Sequence, residues 1–125
     1  MVSPAQKVVE QFLQEWDTLG FEQAYLNHLG EDAIWRNLGY PDCKGLPTIM
    51  EVLKKYDEMF KRPFAKVEIK HILSEGDVVL VERVEDLYSK DHGERSSSQN
   101  MSSFIVRDGK IREWNDYFDT SPYRK

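Results

Sequence analysis

Apolar residues along the first 60 positions recur at intervals of three and four, and from residue 66 onward they recur at intervals of two. Val8, Val9, Phe12, Leu13, Trp16 and Leu19 mark one face of a first helix. Ser3 can cap it, Pro4 fits a first turn where no amide donor is missed, and Gly20 ends it. The stretch FEQAYLNHLG predicts a second, short helix with Ala24, Tyr25, Leu26 and Leu29 before a terminating Gly30. DAIWRNL alternates and is rich in strand formers, which puts Ala33, Trp35 and Asn37 on one face and Ile34, Arg36 and Leu38 on the other. After a loop with Gly39, Pro41 and Gly45, Pro47 opens a third helix, PTIMEVLKKYDEMF. Its inward stripe is Ile49, Val52, Leu53, Tyr56 and Phe60, and Pro63 stops it.

The two-residue period then predicts four long strands, KVEIKHILS, DVVLVERVEDLYS, RSSSQNMSSFIV and KIREWNDYF. SEGD, KDHGE and RDGK are the turns between them, the last an Asp-Gly hairpin signal. The order helix, helix, strand, helix and four strands implies an α+β fold with helices segregated to one side of a curved antiparallel sheet. His71 falls on the Val67, Ile69, Leu73 face and reads as a satisfied interior histidine. KHILSEGDVVLVERV is apolar on both faces, which predicts helices against one side of the sheet and a second subunit against the other, hence a homodimer.

Length and charge narrow the function classes. A chain of 125 residues fits one domain, residues 1–125, with room for a core around a small cavity. The net charge of −5, with basic residues scattered among acids, excludes a nucleic-acid groove. No apolar run approaches the roughly 20 residues that span a bilayer, and MVSPAQK is not followed by a signal-peptide core, so no membrane association and a cytoplasmic location are expected. Cys43, the single cysteine, excludes an internal disulfide, and in the polar loop YPDCKG it reads as an incidental thiol rather than a nucleophile. His28 and His92 fall at a helix end and in a turn, no two histidines share metal-ligand spacing, and no phosphate loop or dinucleotide fingerprint occurs. No metal and no cofactor is therefore expected, and the partner is a small-molecule substrate. Met50, Tyr56, Met59 and Phe60 on the third helix are either core or the lid of a pocket.

Alternation concentrates the candidate chemistry on two strands. Arg83 and Glu85 share a face with Val79, Val81 and Leu87; Asp116 shares one with Arg112, Trp114 and Phe118. A carboxylate between two large aromatics needs a partner, because an ion stripped of water loses several kcal/mol. The planar fork of Arg83 can hold Asp116 on one edge and Glu85 on the other. With one fixed cation between them, one acid can stay ionised as a base while the more desolvated one keeps its proton. The alternative on periodicity alone is an ion triad that merely fixes the sheet.

ERVEDL followed by DGKIREWNDYFD resembles the limonene-1,2-epoxide hydrolase family, whose pattern is Arg-x-Asp on one strand and an aspartate within a Trp-x-Asp-Tyr-Phe-Asp run on the last. The spacing between the motifs matches without a gap, and weaker similarity covers most of the chain. The resemblance implies the cone-shaped α+β barrel of the nuclear transport factor two and SnoaL-like superfamily, in which homodimers through the sheet are familiar. It makes Asp116 the base that takes a proton from water, Arg83 the bridge between the carboxylates, and Glu85 the acid that protonates the epoxide oxygen, where the family has aspartate. WRNLG resembles the family's Tyr-x-Asn segment, whose side chains hold the attacking water: Asn37 matches, and Trp35 replaces the tyrosine. An indole only donates a hydrogen bond, whereas a phenol donates or accepts.

With the same ungapped spacing, Ser98, Asn100, Ser102, Phe104 and Val106 share the interior face of the third long strand, a more polar wall than a terpene epoxide would prefer. Asn100, Ser102, Trp114, Phe118, Leu87 and Phe60 are the expected substrate contacts. The implied activity is cofactor-independent hydrolysis of a small to medium epoxide more polar than limonene oxide. A SnoaL-like cyclase or isomerase working on a polyketide, terpenoid or alkaloid intermediate would use the same acids without consuming water. A non-catalytic binding module would use the triad only as a brace.

Overall fold

The computed structural model describes residues 2–90 and 95–119. Helix α1 spans Pro4–Thr18; Ser3 caps it by accepting a hydrogen bond from the Gln6 amide, and Val9, Phe12, Leu13 and Trp16 are buried. Leu19 lies beyond the helix and is exposed. Helix α2, Phe21–His28, buries Phe21, Ala24 and Tyr25. Leu26 is exposed, and Leu29 and Gly30 do not finish this helix but open strand β1, Leu29–Asn37. Cys43 is not in a loop: it is buried in the two-residue strand β2, Cys43–Lys44, paired with Trp35, and burial, then Asp42, push its thiol pKa up. Helix α3, Leu46–Phe60, buries Ile49 and Leu53; Phe60, expected on the inward stripe, is exposed at the helix end, as is Met59.

The remaining strands are β3, Phe64–Glu75; β4, Val78–Tyr88; β5, Arg95–Arg107; and β6, Lys110–Phe118. The β5–β6 hairpin turns at Asp108 and Gly109, both at positive φ (53° and 73°), the geometry that makes Asp-Gly the favoured pair there. The KDHGE turn and His92 lie outside the described residues. The sheet order is β2-β1-β6-β5-β4-β3. It is mixed rather than wholly antiparallel, because β1 runs parallel to β6, with Trp35 beside Trp114 and Asn37 beside Asp116. The three helices pack on one side of this curved, unclosed sheet, as the element order implies, in the α+β cone that the resemblance implies.

Two one-residue bulges reset the alternation. In β3 the extra residue is Lys70, so His71 turns outward against Glu82 (Nδ1 to Oε1, 2.7 Å) and is exposed rather than interior. Ile72 takes the inward place, and Leu73 is 70% exposed. In β6 the extra residue is Arg112, whose guanidinium reaches out to Asp32 (3.0 Å) while Ile111 is fully buried in its stead.

The core is aromatic. Trp114 stacks on Trp35 (4.7 Å between centroids, 13° between planes) and on Phe104 (5.8 Å), and meets Phe12 and Tyr25 edge-on at 5.2 and 5.4 Å. Truncating so buried an indole typically costs about 3–5 kcal/mol, so α1, α2 and β1 are locked to β6 where the candidate acids lie. His28 at the end of α2 bonds Glu15 (2.8 Å), a contact between the first two helices.

Candidate functional site

Arg83 on β4 and Asp116 on β6 are two strands apart, with β5 between them. Two inter-strand spacings of about 4.8 Å each must be bridged. Ser102 of β5 stands opposite Asp116 of β6 and Val81 of β4, and its small side chain lets the guanidinium pass over β5. Arg83 Nη1 donates to Ser102 Oγ (2.5 Å), and Ser102 Oγ donates to Asp116 Oδ1. Arg83 Nη2 reaches Asp116 Oδ1 at 3.3 Å, while Nε and Nη2 both reach Glu85 Oε1, at 2.9 and 2.7 Å. Trp16 of α1 covers the guanidinium from the helix side, 5.3 Å from ring centroid to Cζ.

All three charges are out of water: Arg83 is 1% exposed, Asp116 5% and Glu85 9%. Burial works against the Arg83 charge, but Glu85 and Asp116 outweigh it and raise its pKa, so it is a fixed cation. Glu85 goes the other way. Burial raises its pKa, and the nearby Asp116 charge adds to that, against the opposing pull of Arg83. Arg83 occupies only Oε1 of Glu85; the glutamate lines the cavity.

Asp116 is held from both sides. Oδ1 accepts from Ser102, from Arg83 and from Trp114 Nε1 (2.6 Å), whereas among the described residues Oδ2 accepts only from Trp35 Nε1 (3.2 Å). The arrangement leaves Oδ2 with acceptor capacity toward the cavity. Trp35, expected to face a water, thus spends its N–H on the carboxylate itself. Asn37 is buried beside Asp116 on β1, and its side-chain amide has no protein hydrogen-bond partner among the described residues; it too lines the cavity.

The cavity has a volume of about 810 Å³. Asn100, Trp114, Phe118, Leu87 and Phe60 line it, as expected of substrate contacts. Ser102 does not: its hydroxyl is turned to Arg83 and Asp116, so it supports the acids. One wall, from β5, is polar (Ser96, Ser98, Asn100); α2 and α3 contribute aromatic and apolar side chains (Phe21, Tyr25, Met50, Leu53, Tyr56) together with the charged Glu22, Lys54, Asp57 and Glu58. Tyr25 and Trp16 are wall residues to which sequence reasoning gave no role; the only signal was their place on the buried helix faces. No cluster of three or more metal-ligating side chains occurs among the described residues. No described helix is long and apolar enough to cross a membrane.

Comparison with known proteins gives the same direction. Residues 3–123 match the family model described as the limonene-1,2-epoxide hydrolase catalytic domain. The solved structure of an LEH-like epoxide hydrolase from M. tuberculosis is similar, at 29% identity over 94% of this chain and 84% of that one, with a TM-score of 0.76. A putative SnoaL-like polyketide cyclase from a Jannaschia species superposes with the same TM-score at 14% identity, covering 96% of this chain and 88% of that one. TerC, co-crystallised with polyporic acid, does so at 20% identity over 97% and 95% of the two chains, also with a TM-score of 0.76. At those identities the last two speak for the fold alone.

Proposed function

We propose that this chain, which belongs to the limonene-1,2-epoxide hydrolase family, is a cofactor-independent hydrolase that opens a small to medium epoxide to a diol in one step. The observation that carries the reading is the asymmetry of the two acids. Arg83 sits between them; Asp116 accepts from Arg83, Ser102, Trp114 and Trp35, whereas Glu85 meets Arg83 through one oxygen and burial holds it above the ordinary glutamate range. A water beside Asn37 gives a proton to Asp116 Oδ2 as its oxygen attacks an epoxide carbon. The carbon–oxygen bond breaks, and the departing oxygen takes the proton of Glu85. The diol leaves Asp116 protonated and Glu85 ionised, and transfer of one proton between them restores the starting state. No covalent enzyme ester is needed. The polar β5 wall suits an epoxide with further oxygen functions on one edge. Phe60, Leu87 and Phe118 would contact its apolar side.

Asp116→Asn tests this reading. It keeps the shape of the side chain and removes the base, so turnover should be abolished with the fold intact; retention of most activity would remove the hypothesis. A second reading has a specific observation behind it. The Trp35 N–H on Asp116 and the serine-rich wall also suit a cyclase or isomerase that moves protons without adding water. Reaction in oxygen-labelled water separates the two, since only hydrolysis puts label into the product. A homodimer through the outer sheet face belongs to the same proposal. Leu73, Val78, Leu80, Met101 and Tyr117 are exposed there on β3 to β6. A cytoplasmic location also remains part of the proposal.

A further inference from the structure

Tyr25 is 3% exposed, lines the cavity, and offers a hydroxyl with no hydrogen-bond partner among the described residues. A buried phenol normally finds a partner. The Tyr25 oxygen is not among the sealed-off polar atoms of the described residues, so it opens onto the cavity space. Its ring is held on every side: edge-on to Trp35 at 5.6 Å and to Trp114 at 5.4 Å, with Phe12 and Phe21 at 5.7 and 6.1 Å. Trp35 and Trp114 are the two indoles whose N–H groups fix the two oxygens of Asp116. Tyr25 therefore stands against both supports of that carboxylate and lines the same cavity as Asp116.

We propose that the Tyr25 hydroxyl is a further catalytic group, which from helix α2 holds the water that Asp116 deprotonates. The inference deepens the hydrolytic reading and rests on it. A water poised for attack must give one O–H to Asp116 Oδ2, keep one lone pair for the epoxide carbon, and place its second O–H on an acceptor. Trp35 cannot accept, and its donor is already used on Asp116. A phenol oxygen can accept, and Asn37 can then donate to the remaining lone pair. The proton count is unchanged, since one proton goes to Asp116 and the other stays on the oxygen that becomes the diol. Burial, reinforced by the charges of Asp116 and Glu85, raises the Tyr25 pKa well above its ordinary 10.0, so the hydroxyl stays neutral and able both to accept and to donate.

Tyr25→Phe removes the oxygen and keeps the ring among its four aromatic neighbours. With cyclohexene oxide as probe substrate, kcat should fall by about 10- to 100-fold with KM within about twofold and the melting temperature nearly unchanged. A kcat equal to that of the unsubstituted chain overturns the inference. Binding of cyclohexanol and of methylcyclohexane, followed by tryptophan fluorescence, separates this result from failure of the hydrolytic reading. Should the unsubstituted chain hydrolyse no epoxide, that reading falls and the probes decide Tyr25 alone. Cyclohexanol affinity weakened about fivefold in Tyr25→Phe, with methylcyclohexane unaffected, keeps the hydroxyl as a group that meets cavity oxygens. Equal cyclohexanol affinity in both chains, or none in the unsubstituted chain, overturns it.

Discussion

Replacing Glu85 by glutamine separates the proposed acid from a structural brace, because it changes activity and stability in opposite directions. The substitution keeps the volume and a hydrogen-bond acceptor for Arg83 but removes the transferable proton. General acid catalysis contributes about 10²- to 10⁴-fold, so kcat/KM for an epoxide should drop by that order near neutrality. In the unsubstituted enzyme the acid works only while protonated. Its rate should fall as pH rises through the Glu85 pKa, which lies above the ordinary 4.5, and the glutamine variant should lack that limb.

Stability carries the same signature with its own sign. Below pH 4.5 the folded and unfolded chains both hold the Glu85 proton; above it the unfolded chain releases the proton first. The Glu85 contribution is therefore lost as pH rises toward the folded value, at about 1.4 kcal/mol per pH unit across that interval. Glutamine has no such loss. Chemical denaturation at a series of pH values should show the variant gaining on the unsubstituted protein above pH 4.5 and then levelling. A difference that is flat with pH, or turnover within about threefold of the unsubstituted enzyme, would refute the assignment of the acid to Glu85.

Two further outcomes follow from contacts at the edges of the site. Trp35→Phe keeps the ring stack on Trp114 but deletes the N–H that rests on Asp116 Oδ2 at 3.2 Å; a bond to a charged group is worth about 1.5–3 kcal/mol, so thermal melting should show a loss at the lower end of that range. With the indole no longer competing for Oδ2, steady-state kcat should rise a few-fold, and a tenfold fall would mean that the N–H orients the base rather than occupying it. On the outer sheet face Leu73 and Leu80 are cross-strand partners, 70% and 45% exposed; sedimentation equilibrium should give twice the 14.7 kDa chain mass for the unsubstituted protein and a monomer for the Leu73→Glu, Leu80→Glu double variant, and a monomeric unsubstituted protein would remove the dimer.

The places where alternation assigned the wrong face explain why it put Arg83, Glu85 and Asp116 on buried faces correctly. A two-residue period assigns faces correctly only as far as the nearest bulge, and nothing in the composition of EIKHI or KIREW announces one. Lys70 and Arg112 are each the extra residue, so His71 and Arg112 land on the wrong face and Ile72 and Ile111 take their places. Both bulges lie to one side of the site. Asp116 keeps step with Trp114, Glu85 with Arg83 and Val81, and Asn100 with Ser102 and Phe104, with no interruption between the members of each set. The parallel pairing of β1 with β6 was likewise illegible, since alternation gives a face but no neighbour, yet it is what brings Asn37 beside Asp116.

Helical residues were placed by burial alone, and burial does not distinguish a wall from a core. In sequence Tyr25 is one more apolar-face aromatic of α2; in the fold it packs against Trp35 and Trp114, which turn their N–H groups onto the same carboxylate. A tyrosine-to-tryptophan exchange on β1 therefore need not empty the site of phenol chemistry. Where the sheet lines one side of the cavity and helices another, a phenol oxygen can come from a helix as well as from a strand. The cost of deleting the Tyr25 hydroxyl, measured both in the unsubstituted chain and in the Trp35→Phe variant, would show whether Tyr25, through the water, and Trp35, through Asp116, act on one proton transfer. A combined effect on kcat that differs from the sum of the single ones would couple them there.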